Sequence, residues 1–130
     1  MTVADTDVLI DFLAGAGPAA ARVAEELERG SLCTTAVSRF ELLSGARSSR
    51  QRAAVGGLLA AVSTLPLDEE AADRAVEVRR SLERSGEPIG MADSLIAGIA
   101  LARGGSLLTR NRRHFERVGG LRLADLNLNT

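Results

Sequence analysis

At 130 residues, with 45% hydrophobic and 25% charged side chains, the chain has the composition of one globular domain, residues 1–130, and not of a disordered segment. A formal net charge of −1 excludes a uniformly basic nucleic-acid binder, and three Phe without Trp or Tyr exclude recognition of single strands chiefly by aromatic stacking. A lone Cys33 excludes an internal disulfide and suits a reducing compartment, and no apolar run approaches the roughly 20 residues of a membrane span. The N-terminus lacks the basic-then-apolar pattern of a signal peptide, so a cytoplasmic protein without membrane attachment is expected.

The first stretch, Val3 to Leu13, reads as a buried strand, a turn carrying Asp5-Thr6-Asp7, and a helix start. Pro18 suits the first turn of a second helix, over Ala19 to Arg29 with Gly30 as its stop. Leu32 to Thr34 reads as the second strand and Thr35 as an N-cap, after which Val37, Phe40 and Leu43 follow helical spacing. A further helix is expected over Ser48 to Val62, with Gly56-Gly57 as a possible break, then a short strand from Ser63 to Leu67. Asp68-Glu69-Glu70 opens a long helix to Arg84 in the sense the dipole favours. Met91 to Arg103 is apolar on nearly all sides and predicts a central buried helix. Ser106 to Thr109 predicts a strand, Arg112 to Arg117 a short helix, and Leu121 to Ala124 a last strand. Strands separated by helices imply parallel pairing with crossovers, the α/β class.

In an open α/β sheet, chemistry collects at the carboxyl ends of the strands. Asp5 stands there, although as a helix cap it needs no chemistry. Glu41 lies at the edge of an apolar stripe, where it either joins a site or reaches Arg39, Arg47 or solvent. Asp93 sits in the first turn of an otherwise apolar helix, where dipole complementation is the alternative. The strand ending at Thr109 offers an amide, Asn111. Converging carboxylates repel one another, and Mg²⁺ or Mn²⁺, which prefer oxygen ligands, would compensate. Such an ion activates water and steadies phosphoryl charge, so phosphodiester hydrolysis is the reaction class. All sixteen basic residues are Arg, and Arg112 and Arg113 are the candidates to touch a polyanionic backbone. His114, the only His, cannot build a His-rich zinc site and reads as a surface group near phosphate.

The set Asp5-Thr6-Asp7-Val8-Leu9-Ile10, Ser38 to Ala46 around Glu41, Ala92-Asp93-Ser94-Leu95-Ile96-Ala97, and Leu108 to Phe115 resembles, in order and over the whole chain, the PIN-domain family and in particular the VapC toxins. The resemblance implies an α/β/α sandwich around a central parallel sheet and a Mg²⁺- or Mn²⁺-dependent endoribonuclease acting on RNA. It also implies a homodimer, a larger toxin-antitoxin assembly, and inhibition by a VapB-type antitoxin lying across the active-site groove. It assigns catalytic roles to Asp5, Glu41, Asp93 and Asn111, metal ligation to Asp5 and Asp93, and support to Thr6, Asp7 and Thr109. Asn111 stands where many members carry a fourth acid, which puts a strict two-metal mechanism in doubt. Leu58, Leu59 and Val62 are candidates for the dimer surface or for internal packing. Two other readings compete. One is a catalytically weakened PIN module that acts by binding antitoxin or RNA. The other is a haloacid-dehalogenase-type phosphatase with Asp5 as nucleophile, which would usually want a Lys that the chain lacks.

Overall fold

A computed structural model describes residues 1–127. Four strands, β1 (Thr2–Ala4), β2 (Leu32–Thr35), β3 (Ser63–Leu65) and β4 (Ser106–Leu108), form one sheet in the order β3-β2-β1-β4. All three pairings are parallel. The crossovers are helical: α1 (Thr6–Ala14) and α2 (Gly17–Arg29), α3 (Ala36–Gly45) and α4 (Ser49–Ala61), then α5 (Glu69–Arg84) and α6 (Met91–Arg103), with a short α7 (Arg112–Phe115) after β4.

Because successive strand residues point to opposite faces, β1, β2 and β4 each feed two cores. Ala4, Leu32 and Leu108 join Val8, Leu9, Val23, Leu42, Val55, Leu58 and Leu59 on one side. Their neighbours Val3, Cys33 and Leu107 join Val78, Leu82, Ile96, Ala97, Phe115 and Val118 on the other. The sheet is therefore covered on both faces, as the continuous apolar strands require. On the second side α5 and α6 approach closely at Gly98, where a Cβ would fall 2.5 Å from the Ala71 carbonyl oxygen.

Several expectations change. Gly56-Gly57 does not interrupt α4, which runs unbroken behind a Ser48–Gln51 capping box. Leu58 and Leu59 are core residues and Val62 packs against them, so they serve internal packing rather than a dimer surface. On α3 the buried residues are Ser38 and Leu42, whereas Phe40 is 71% and Leu43 46% exposed. Of the helically spaced Val37, Phe40 and Leu43 only Val37 packs inward, and Ser38 can share the buried face because it is satisfied by polar partners next to Thr35. The third strand ends at Leu65, before Pro66, and α7 stops at Phe115. Leu121 to Ala124 makes a single parallel bridge, Leu107 to Leu123, in place of a full strand.

Parallel register aligns the carboxyl ends of β1, β2 and β4, and β1 is flanked by β2 on one side and β4 on the other. Chain order reverses between β1 and β4, which opens a crevice at their ends. Asp5 follows β1 and Thr109 follows β4, so the two meet there.

Candidate active site

Asp5 both caps and converges. It is the N-cap of α1, with Oδ1 accepting from the Thr6 amide at 2.8 Å, while Oδ2 accepts from the Thr109 hydroxyl at 2.7 Å. Thr109 is fully buried and its Oγ1 in turn accepts from the Asn111 amide at 3.0 Å, which fixes the turn after β4 against the turn after β1. Asp7, two residues further in the first turn of α1, accepts from the Arg110 amide at 3.1 Å through Oδ2. Its Oδ1 is buried without a hydrogen-bond partner among the described residues. The Arg110 guanidinium turns outward to Asp11, at 2.6 Å.

Glu41 arrives from α3, where its Oε1 accepts from the Thr6 hydroxyl at 2.6 Å, and Thr6 Oγ1 also lies 2.9 Å from Ser38 Oγ. Thr6 thus ties the first acidic segment to the second, and Glu41 turns to it rather than to Arg39 or Arg47. Asp93 arrives from the first turn of α6, where its Oδ2 lies 3.0 Å from His114 Nδ1 and 3.5 Å from the Asn111 side-chain amide. Asn111 and His114 are 2.8 Å apart.

Burial raises the Asp5 carboxyl to about 6, and the charges of Asp7 and Asp93 push the same way, against the hydrogen bonds from Thr109 and Thr6. Burial also raises Asp7, against the Arg110 amide. Three acids therefore share one field without a neutralising side chain beside Asp5, and one buried carboxylate oxygen is left over. Every donor in the Asp5–Asp7–Glu41–Asp93 set is a hard oxygen, which fits Mg²⁺ or Mn²⁺ and not a soft-metal site. Among the described residues no three His, Cys, Asp or Glu side chains gather tightly enough to enclose an ion. The set suits a cation that keeps part of its water shell.

The structure brings Asp5, Thr6, Asp7, Glu41, Asp93, Thr109 and Asn111 to one edge. It treats the two arginines differently. Arg113 is exposed, whereas Arg112 is half-buried and donates through Nη1 to the Ala124 carbonyl at 2.8 Å, clamping the C-terminal segment. His114, with its side chain 45% exposed, also adjoins the site through its contact with Asp93. The signal for it was present, since Asn111 and His114 stand three apart at a helix start and so share a face. Ser38 was also missed, because a small hydroxyl amid apolar neighbours carries no mark of its own. An open cavity of about 440 Å³ adjoins Glu41, lined by Ile10, Leu13, Leu42, Ala46 and Val55 with Arg50 and Gln51.

Comparison with known proteins agrees with this geometry. The PIN domain model matches residues 2–121. The tRNA(fMet)-specific endonuclease VapC of Shigella flexneri is 38% identical over 125 residues, covering 93% of this chain and 94% of that protein. Ribonuclease VapC10 of Mycobacterium tuberculosis is 36% identical over 115 residues, covering 88% and 86%. The fold superposes on DNA-bound VapBC from Salmonella typhimurium with a TM-score of 0.83 and 30% identity, over 96% of this chain and 97% of that one. The phosphatase reading is thereby set aside: it left Glu41 without a role, and Glu41 is hydrogen-bonded into the site through Thr6. By sequence, by fold and by the order of its four acidic-edge segments, the chain belongs to the PIN-domain family.

Proposed function

We propose that the protein is the toxin of a VapB–VapC-type pair, a divalent-metal-dependent endoribonuclease that hydrolyses RNA phosphodiester bonds in the cytoplasm. The observation that carries this reading is the acidic edge around Asp5, which has no cation beside it: Asp5 is 6% exposed, raised to about 6 and flanked by Asp7 and Asp93, with oxygen donors throughout. The relatives named as VapC ribonucleases support the same reaction.

Asp5 and Asp93 would hold Mg²⁺ or Mn²⁺ directly, with Asp7 supplying charge close by. When bound, the ion supplies Lewis acidity toward water and the phosphoryl group. Thr109 holds Asp5 Oδ2 in place, and Thr6 does the same for Glu41 Oε1. Glu41, half-buried at the rim, positions the attacking water and receives its proton. Asn111 fixes the turn after β4 and steadies Asp93. Arg113 contacts phosphate, whereas Arg112 keeps that turn on the C-terminal segment. A VapB-type antitoxin covers the same edge and silences it, as expected for a partner of the kind present in the VapBC structures that the fold matches. The protein is further proposed to act as one domain and as a homodimer, which sedimentation checks.

The test is cleavage of total cellular RNA by antitoxin-free protein with Mg²⁺ or Mn²⁺, beside EDTA and Asp93→Ala controls. Discrete fragments lost in both controls are expected. Absence of cleavage in folded protein would favour the weakened binding module and point to Asn111.

A further inference from the structure

Three side-chain hydroxyls lead from the end of β2 to Glu41. Thr6 Oγ1 lies 2.6 Å from Glu41 Oε1 and 2.9 Å from Ser38 Oγ, and Ser38 Oγ lies 3.4 Å from Thr35 Oγ1. Thr35 and Ser38 are fully buried, so neither meets solvent or substrate. As the cap of α3, Thr35 Oγ1 also accepts the Ser38 amide at 3.0 Å.

Counting hydrogens fixes the direction of this chain. A hydroxyl carries one proton, and a carboxylate only accepts. Thr6 therefore points its proton at Glu41 and can only accept from Ser38. With its own proton on Thr6, Ser38 can only accept from Thr35. All three protons point toward Glu41, and each donor is strengthened by the one behind it. Among the described residues no hydroxyl other than that of Ser38 reaches Thr6 Oγ1, and no hydrogen bond reaches Glu41 Oε2.

We propose that Ser38 is a positioning residue: its buried hydroxyl holds the Thr6 rotor with the proton on Glu41 Oε1, which leaves Oε2 as the atom that faces the attacking water. This rests on the reading of Glu41 as the group that receives the water's proton. Ser38 itself touches neither substrate nor ion, and no proton moves along the chain.

Ser38→Ala keeps the amide that Thr35 caps and removes only the hydroxyl. Its kcat for RNA cleavage should fall about tenfold, the rate equivalent of the upper range for one hydrogen bond, with KM unchanged. Coupling separates this role from a merely structural one. Thr6→Val cuts the chain one link later, so adding Ser38→Ala to it should lower kcat no further, whereas independent roles would multiply the two losses to about a hundredfold. Multiplied losses, full activity in Ser38→Ala, or a raised KM at unchanged kcat would overturn the proposal.

NMR of the metal-free wild type reads the same geometry without cleavage. The Ser38 hydroxyl proton should exchange slowly and show a stronger nuclear Overhauser effect to Thr6 Hβ than to Thr35 Hβ. A proton turned to Thr35 would overturn the proposal even in an active enzyme. A wild type that cleaves no RNA while the Ser38 proton faces Thr6 would overturn the nuclease reading and support the hydroxyl chain.

Discussion

Two buried carboxylates in this fold are treated in opposite ways. Glu26, on α2, is 4% exposed and lies against Arg22, itself 5% exposed, and the Ser31 hydroxyl. Burial pushes Glu26 up, but the Ser31 hydroxyl and the Arg22 guanidinium more than reverse it and hold the group below the usual range. Arg22 also donates to the Asp125 carbonyl at 2.9 Å, so the ion pair is stitched into the C-terminal segment. Asp5 is about as buried, yet it has two hydrogen bonds, two acidic neighbours and a carboxyl raised to about 6. The chain neutralises a buried acid where it needs only structure. At the end of β1 it places no cation beside Asp5, and the difference marks the place where the proposed divalent ion would complete the site.

The sharpest way to break the comparison is to remove the internal cation. Arg22→Ala leaves the buried Glu26 with the Ser31 hydroxyl and the more distant Arg29, at 4.0 Å, and denaturant melts should show a loss approaching about 3 kcal/mol. Glu26→Gln with Arg22→Met should recover much of it, because no buried charge remains. At the other edge, Asp5→Ala or Asp93→Ala should lower RNA cleavage by at least about 100-fold, the upper range for loss of metal-site partners, with circular dichroism unchanged. Full activity in either variant would overturn the site assignment.

A third prediction follows from protonation. The Asp5 carboxyl is raised from 3.8 to about 6 on folding, so its proton is held more tightly in the native state. Its contribution to stability is present below about pH 3.8 and is lost as pH rises through about 6. Metal-free Asp5→Asn should therefore match the wild type near pH 4 and exceed it by roughly 2–3 kcal/mol near pH 8, measured by denaturant melts at both values. The smallest effect is expected at Thr6→Val, which unties Glu41 without removing an acid. About tenfold loss of turnover with little change in melting temperature would fit its supporting role.

Much of this was legible because period and chemistry agreed. The alternation of Val3 with Ala4 and of Leu107 with Leu108 marked strands with two covered faces, and acids at strand ends marked the edge. Phe40 and Leu43 were misleading because helical spacing does not say which apolar stripe faces inward when Ser38 can be buried with its own partners. Leu58 and Leu59 were ambiguous between core and interface until the sheet placed α4 over Leu32. Arg112 and Arg113 are identical in sequence terms and differ only because one reaches the Ala124 carbonyl, 12 residues away. The contact of His114 with Asp93 was not legible because Asp93 comes from a helix 21 residues earlier.

The central claim is that the acidic edge is stabilised by an external divalent ion. The most direct measurement is the melting temperature of the wild type and of Asp5→Asn as Mg²⁺ is titrated at pH 7.5. At 100 times its Kd a ligand adds about 2.7 kcal/mol to the folded state, so the wild type should gain several degrees. Asp5→Asn should start higher and gain little. A wild type that does not respond to Mg²⁺ or Mn²⁺, or a variant that responds equally, would contradict the account.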